Sequence, residues 1–219
     1  MNASTAEVDR GSITEIGFSH VEVHYLLSVV DSDAARQSRV ILGLDELPDP
    51  DSLSNIAAST LLARRLLTFT DDEQSIVPVD EAMYVSYVLV NATRWFTLQS
   101  TDGAALNDTG FLIESDLGRV LAQPRALDTW WFVLVDGAAS SADLVPETAV
   151  SLLSQKDEMA LFLHMQTADT DRSFTIHRKA DGWSFAFGET GNPEPELRDE
   201  AAGLDECVAA LREFVSNGD

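Results

Sequence analysis

The residues able to do chemistry in this 219-residue chain are four histidines (His20, His24, His164, His177), one cysteine (Cys207) and a large excess of carboxylates. His20 and His24 are four apart, so on a helix they share a face at a spacing able to chelate a metal. The acid between them is Glu22, which departs from the HExxH order and faces elsewhere, so the pair reads as a solvated helix face. His164 and His177 fall on neighbouring expected strands and can approach each other across the pairing. No acid stands at a fitting spacing, so they read as two sheet histidines; a hydrolase or small-ligand enzyme using them with scattered carboxylates stays open as an alternative. Cys207 lies on the apolar stripe of the last expected helix, where a thiol packs as a small hydrophobe with a raised pKa. A single cysteine also excludes an intrachain disulfide. Asp71-Asp72 and Asp169/Asp171 lack the ligand spacing of a calcium loop. No GxxxxGK[ST], GxGxxG or GxSxG pattern occurs, which argues against phosphate-binding loops, dinucleotide sites and the nucleophile elbow. The reading is therefore of no catalytic residue, no metal and no cofactor.

Charge bears on partners. Thirty-seven acidic residues face 14 basic ones, a formal net charge of -23, and the excess is spread along the chain. Such a surface repels phosphate backbones, and the basic residues that cluster, Arg64-Arg65 and Arg178-Lys179, are only pairs, so no nucleic-acid partner is expected. The first twelve residues show no basic region followed by an apolar core, and no run of about 18 apolar residues occurs. The expectation is a cytoplasmic protein with no membrane partner.

The elements that must position these residues read as follows. Ser19-His20-Val21-Glu22 has the form of a capping box, with Phe18 and Val23 as its hydrophobic staple, predicting a helix from His20 to about Val30. After the stiff Leu47–Asp51 connection, apolar residues at near-helical spacing run from Leu53 to Leu67. Leu67–Thr70 and Ile76–Val79 then form a hairpin, and a helix covers Asp80–Val90. From Trp95 the period changes to two: Trp95–Leu98, Phe111–Glu114, Arg119–Ala122 and Thr129–Val135 are expected strands. The last is apolar on both faces, which predicts a central strand covered on both sides. Pro146–Ser154 reads as a helix with proline in its first turn. Met159–Met165, Arg172–Arg178 and Trp183–Phe187 form an expected meander, and 188–199 an acidic loop. Leu204, Cys207, Val208, Leu211, Phe214 and Val215 mark the final helix.

The fold class is α+β, antiparallel sheet with packed helices, and two stretches of strands each ending in a helix allow two pseudo-duplicated halves. The chain reads as one domain over 1–219, with a helical and hairpin part at 13–90 and a sheet and helix part at 91–219. Helix 51–67 followed by its hairpin also copies the local order of a winged helix, so a winged-helix-like regulator is a further alternative that the acidity opposes.

Leu61–Leu67 (LLARRLL), then Val77–Ala82 (VPVDEA), then Ala92–Leu98 (ATRWFTL) resembles the front half of the EspG-like chaperones of actinobacterial type VII secretion. In that pattern an arginine, glycine and two leucines lead to a short hairpin, a helix and the first strand of the sheet; Arg65 stands where the family often has the glycine. The resemblance covers about 40 residues and implies a non-catalytic α+β protein with pseudo-twofold halves that binds a helical secretion substrate in the cytosol.

Successive strand residues point to opposite faces, so Trp130 and Trp131 cannot both fill one core; one of them lies either under a covering helix or on a recognition surface. The resulting expectation is a non-enzymatic protein-binding module, chaperone or adaptor, recognising an apolar or helical segment of a protein partner. Trp131, with Trp95, is expected to touch that partner, Trp130 sharing the inward face with Phe132 and Leu134.

Overall fold

Glu22 shows how the chain begins to fold. The Ser19 N–H donates to its carboxylate at 2.8 Å and the Glu22 N–H donates back to the Ser19 hydroxyl, the reciprocal capping anticipated from the sequence. These bonds start α1, His20–Ser28, directly after a strand the periodicity did not reveal, β1, Thr14–Ser19. In this computed structural model, residues 14–45, 50–71, 75–102, 105–135, 139–154, 159–179, 182–189 and 196–217 are described.

A second unanticipated element, α2 (Asp33–Ile41), is capped by the Ser32 hydroxyl. It ends at Gly43, whose φ is +63°; the N–H groups of Gly43 and Leu44 reach back to Val40 and Arg39. This is the Schellman closure, in which the left-handed residue is usually glycine. The next helix, α3 (Pro50–Ala63), closes the same way, with Arg65 N–H on Leu62 and Leu66 N–H on Leu61. Here Arg65 occupies the left-handed position, at φ +61°. The glycine that the EspG-like pattern places at this point thus has a physical reason in this chain.

The hairpin β2 (Leu67–Phe69) and β3 (Ile76–Pro78) follows as its own small sheet, then α4, Asp80–Val90. Four strands form a meander, β4 (Ala92–Asp102), β5 (Ala105–Ser115), β6 (Arg119–Arg125) and β7 (Thr129–Val135), closed by α5, Ser141–Leu153. Four more, β8 (Met159–Gln166), β9 (Asp171–Lys179), β10 (Gly182–Glu189) and β11 (Glu196–Ala202), are closed by α6, Leu204–Ser216. All pairings of the large sheet are antiparallel, in the order β1-β7-β6-β5-β4-β8-β9-β10-β11. The fold is α+β, as expected, and the two meander-plus-helix units meet at the β4–β8 pair.

Three expectations need correction. β7 is not central: it lies next to the edge strand β1, and Trp131 on it remains 39% exposed, because helices cover only one of its faces fully. α5 begins five residues before Pro146, at Ser141, so the proline sits inside the helix. Of the expected loop 188–199, residues 188 and 189 complete β10 and 196–199 belong to β11; residues 190–195 lie outside the described ones, as do Asp72 and most of Leu47–Asp51.

Two apolar layers flank the sheet. On one face α1–α4 pack against β1 and β4–β7 through Phe18, Leu26, Leu89, Trp95, Trp130 and Phe132. On the other, α5 and α6 pack together over β4, β5, β8 and β9 through Phe96, Leu112, Leu161, Phe174, Cys207 and Leu211. The α6 stripe points inward as its spacing requires: Cys207 and Leu211 are fully buried and Phe214 is 4% exposed. Burial pushes the Cys207 thiol up, and neighbouring Glu206 adds to this.

The edge strand β1 is guarded. Arg64 donates to the Gly17 carbonyl at 2.8 Å and to both oxygens of Glu22 at 3.0 Å, while the Ser19 N–H is held by Glu22. Two backbone groups of the edge, the Gly17 carbonyl and the Ser19 N–H, are thereby occupied, which disfavours pairing with another chain there.

Two predictions follow from these placements. Cys207 resists a thiol reagent such as Ellman's in the native protein up to pH 9 and reacts fully in denaturant; rapid native labelling contradicts the α6 packing. Arg65→Gly relieves a left-handed residue and raises stability by up to about 1 kcal/mol in denaturant titration, offset in part by the freer unfolded chain.

Candidate partner-binding surface

Side-chain alternation on β8 sets up the surface. Met159, Leu161, Leu163 and Met165 are buried under α5 and α6, so Phe162, His164 and Gln166 point the other way. Strand register brings Thr97 and Gln99 of β4 beside them and Ser173 and Thr175 of β9 on the other side. Among the described residues, the buried apolar layer under α1–α4 takes its residues of the large sheet from β1 and β4–β7 and stops there. This half of the sheet therefore has an open face, on which Phe162 is 43% exposed and His177 is exposed.

The composition of the open face is unusual for so acidic a chain. Its side chains are Thr, Ser, Gln, Ala, Phe and His, with Asp171 as the only Asp or Glu among those described on it. Asp171 holds His164: the imidazole Nε2 pairs with one carboxylate oxygen, and Gln166 Nε2 donates to the other at 3.1 Å. Here the sequence reading is corrected, since an acid does stand beside His164, across the β8–β9 turn. His164 and His177 share the face but do not meet. Their strand partners are Ser173 and Ala160, four register steps apart, or roughly 13 Å at 3.3 Å per residue. A carboxylate-held imidazole opposite a serine has parts of a hydrolytic dyad, but the Ser173 hydroxyl makes no hydrogen bond to the ring.

Where the open face meets the edge of the helical layer there is a cavity of about 680 Å³ between α2 and the β8–β9 turn, lined by Asp33, Gln37, Trp95, Gln166, Asp169 and Asp171 among others. Trp95 contributes one wall. Otherwise its ring is 5% exposed, with the indole N–H donated to Ser38 at 3.0 Å. Gln37 reaches Gln166 across the cavity.

A second cavity, about 420 Å³, adjoins it and reaches Arg94 and Glu114. Glu114, 5% exposed, pairs with Arg94 at 2.7 Å and with Arg119 and accepts from Ser141 at the start of α5 at 2.7 Å. Arg94 also donates to the Val215 carbonyl in the last turn of α6, where a cation is favoured. The cluster ties β4, β5 and β6 to both helices of that face.

Trp131 lies elsewhere. Its neighbour on the edge strand is Gly17, where a Cβ would come within 2.7 Å of the indole ring, and its N–H donates to Glu15 at 2.9 Å. Trp130 points inward, against Phe111 and His20. His24 is held below its ordinary pKa by burial and by Arg39, with Asp45 opposing. Among the described residues no group of three His, Cys, Asp or Glu side chains comes together as a metal site, and no helix is long and apolar enough to cross a membrane. Phe162 was missed in the sequence, although its apolar ring stands on the wrong parity of an otherwise alternating strand.

No family model and no curated protein matches this chain. Among solved structures it is similar in fold to the Mycobacterium tuberculosis type VII secretion system chaperone EspG5, solved in complex with the PE25–PPE41 dimer. The match has 8% sequence identity and a TM-score of 0.55, over 93% of this chain and 96% of that one. The resemblance noted in the sequence is thus present at the level of the fold.

Removing the Glu114 carboxylate leaves two adjacent arginines buried without their common anion. Glu114→Ala is expected to cost about 3–5 kcal/mol in equilibrium unfolding, and Glu114→Gln less.

Proposed function

We propose that this chain is a non-enzymatic protein-binding module of chaperone or adaptor type, which receives a helical segment of a protein partner on the open face of β8–β10. The observation that carries the reading is the pairing of Phe162 exposure with the scarcity of charge among the described side chains of that face. In a protein with 37 acidic and 14 basic residues, Asp171 is the one Asp or Glu among them, and an aromatic ring stands at the centre. Depletion of charge around an aromatic is the composition of an interface core. Internal architecture supports a helical occupant. The first meander carries α1–α4 on this side of the sheet, and a partner helix on the second would continue the same layer. The chaperone whose fold the chain shares was solved bound to a protein dimer, which supports a protein as the occupant. On this reading the protein works in the cytoplasm, Trp95 contributes to the groove wall, and His164 with Asp171 forms a polar contact.

A second reading follows from Trp131. At 39% exposure it is the outward tryptophan of the pair, and a partner at the β1–β7 edge would use it as its anchor.

The two readings separate by mutation. With affinity-tagged protein from its native host, Phe162→Asp is expected to remove the co-purifying partner, leaving the melting temperature within about 2 °C of wild type, a small surface effect. Trp131→Ala is expected to retain the partner. The reverse pattern selects the edge surface, and retention of the partner by both variants rejects both.

A further inference from the structure

Trp131 is fixed in place without being covered. Its indole lies across the edge strand on Gly17, where a Cβ would come within 2.7 Å of the ring. The indole N–H is held by Glu15 at 2.9 Å, yet the side chain is 39% exposed. A large ring that is already ordered loses little entropy when a second surface covers it, which is the property of an interface anchor. Register sets Gly17, Trp131 and Gln123 side by side, with Glu15 two residues along β1 in one direction and Arg125 two residues along β6 in the other. Strand alternation puts all five on one side of the sheet. Among the described residues, the α5–α6 layer reaches this side of β6 and β7 only as far as Leu121 and Val135. The two charges are placed evenly about the ring: at about 4.8 Å between strands and about 3.4 Å per residue, Glu15 and Arg125 stand roughly 16 Å apart with Trp131 at the midpoint. Glu15 accepts the indole N–H on one oxygen and Arg125 donates to Gln123 at 2.7 Å; among the described residues neither is ion-paired.

We propose that this side of β1, β7 and β6 is a contact between two copies of the chain, packed face to face about a twofold axis beside Trp131. A surface that meets itself must be its own complement. A twofold through the midpoint lays Glu15 of each copy against Arg125 of the other and brings the two indoles together at the axis, so that both unlike pairs and the aromatic contact form at once. Exchanging the two ends in this way turns the strands of one copy across those of the other at roughly 70°, near the orthogonal class of sheet packing. Strand addition at the β1 edge is disfavoured by Arg64 and Glu22, which occupy backbone groups there, so the copies meet by their faces. Three strands give a contact of the small, transient class, and the net charge of -23 on each copy opposes it until salt screens the long-range repulsion. The contact is independent of the open face of β8–β10, which lies on the opposite side of the sheet. It gives Trp131 a second copy as its occupant in place of the unrelated partner of the second reading above.

Sedimentation equilibrium of the full chain tests it. At about 0.1 mM protein, where transient contacts are populated, and about 0.15 M salt, where long-range repulsion is screened, a monomer–dimer equilibrium is expected. Trp131→Ala is expected to weaken it about tenfold or more, as for an interface anchor. Arg125→Glu and Glu15→Arg are each expected to weaken it as strongly, since each sets like charges opposite one another. Arg125 is exposed, so Arg125→Glu is expected to keep the wild-type melting temperature and carries the test if Trp131→Ala folds poorly. The deciding arm is a mixture: the Arg125→Glu and Glu15→Arg proteins, each monomeric alone, are expected to dimerise when combined, because only the mixed pair opposes unlike charges at both ends. Arg212→Glu and Glu213→Arg on the exposed side of α6 make the same changes of net charge and are expected to dimerise like wild type, alone and mixed. A wild-type chain that stays monomeric overturns the inference and leaves Trp131 to a partner of another kind. Undiminished dimerisation of Trp131→Ala and Arg125→Glu also overturns it, as does a mixture that remains monomeric. Phe162→Asp separates this contact from the open face: dimerisation like wild type is the expected result, whereas loss of the dimer in that variant would put the contact on the open face and overturn the inference.

Discussion

Two buried glutamates impose the constraint on which the rest of this structure depends. A carboxylate taken out of water must be surrounded by donors, because leaving it unpaired costs several kcal/mol. Glu22 meets this need by gathering the Ser19 N–H, the Thr60 hydroxyl and Arg64, which fixes α3 against α1 and closes off the edge strand. Glu114 meets it with Arg94, Arg119 and Ser141, which fixes α5 and α6 relative to the first meander. Neither cluster is evidence of large net stability, since apolar residues in the same places often hold as well. Their effect is on specificity: a shifted strand register or a slipped helix would strand a charge.

The consequence for function is a division between the two sides of the sheet. α5 and α6 reach both meanders on one side and are tied to Glu114 through Ser141 and through Arg94 on the Val215 carbonyl. On the other side α1 and α3 are tied to β1 by Glu22 and Arg64, and the layer α1–α4 lies over the first meander. The open face of β8–β10 follows from that anchoring. With α2 held at its margin by the Trp95 indole on Ser38, the open face has a wall, and the groove between wall and sheet is part of the scaffold.

Much of this architecture was legible in the residues. The capping box at Ser19, the hairpin after α3, the bounds of α4 and β7 and the inward stripe of α6 all came from short-range signals, because caps, turn residues and periodicity are local chemistry. What escaped was what the sheet decides. β1 is six residues with a glycine in its middle, and only pairing with β7 makes it a strand. β11 is rich in acids and alanine and owes its state to β10. α5 begins before its proline because Ser141 is held by Glu114 and Arg119, which no local pattern announces. Trp130 and Trp131 were separable in principle, yet which face was open depended on where α1–α4 landed.

The candidate site was the least legible part, for a physical reason. The proposed binding face, with threonine, serine, glutamine and a single phenylalanine among its described side chains, has no motif: each residue is ordinary for a strand, and the signal is the scarcity of charge among them, spread over β8–β10 and the distant β4. β4 lies some 60 residues before β8, so Thr97 and His164 become neighbours only once the two meanders have paired. The same holds for Asp171 beside His164, which the sequence places seven residues away and the β8–β9 turn brings within reach. Catalytic sites can be sought through residue types with few other uses. A face marked by what it lacks becomes visible only in the fold, which leaves Asp171 as the one carboxylate among its described side chains in a chain with so many to distribute.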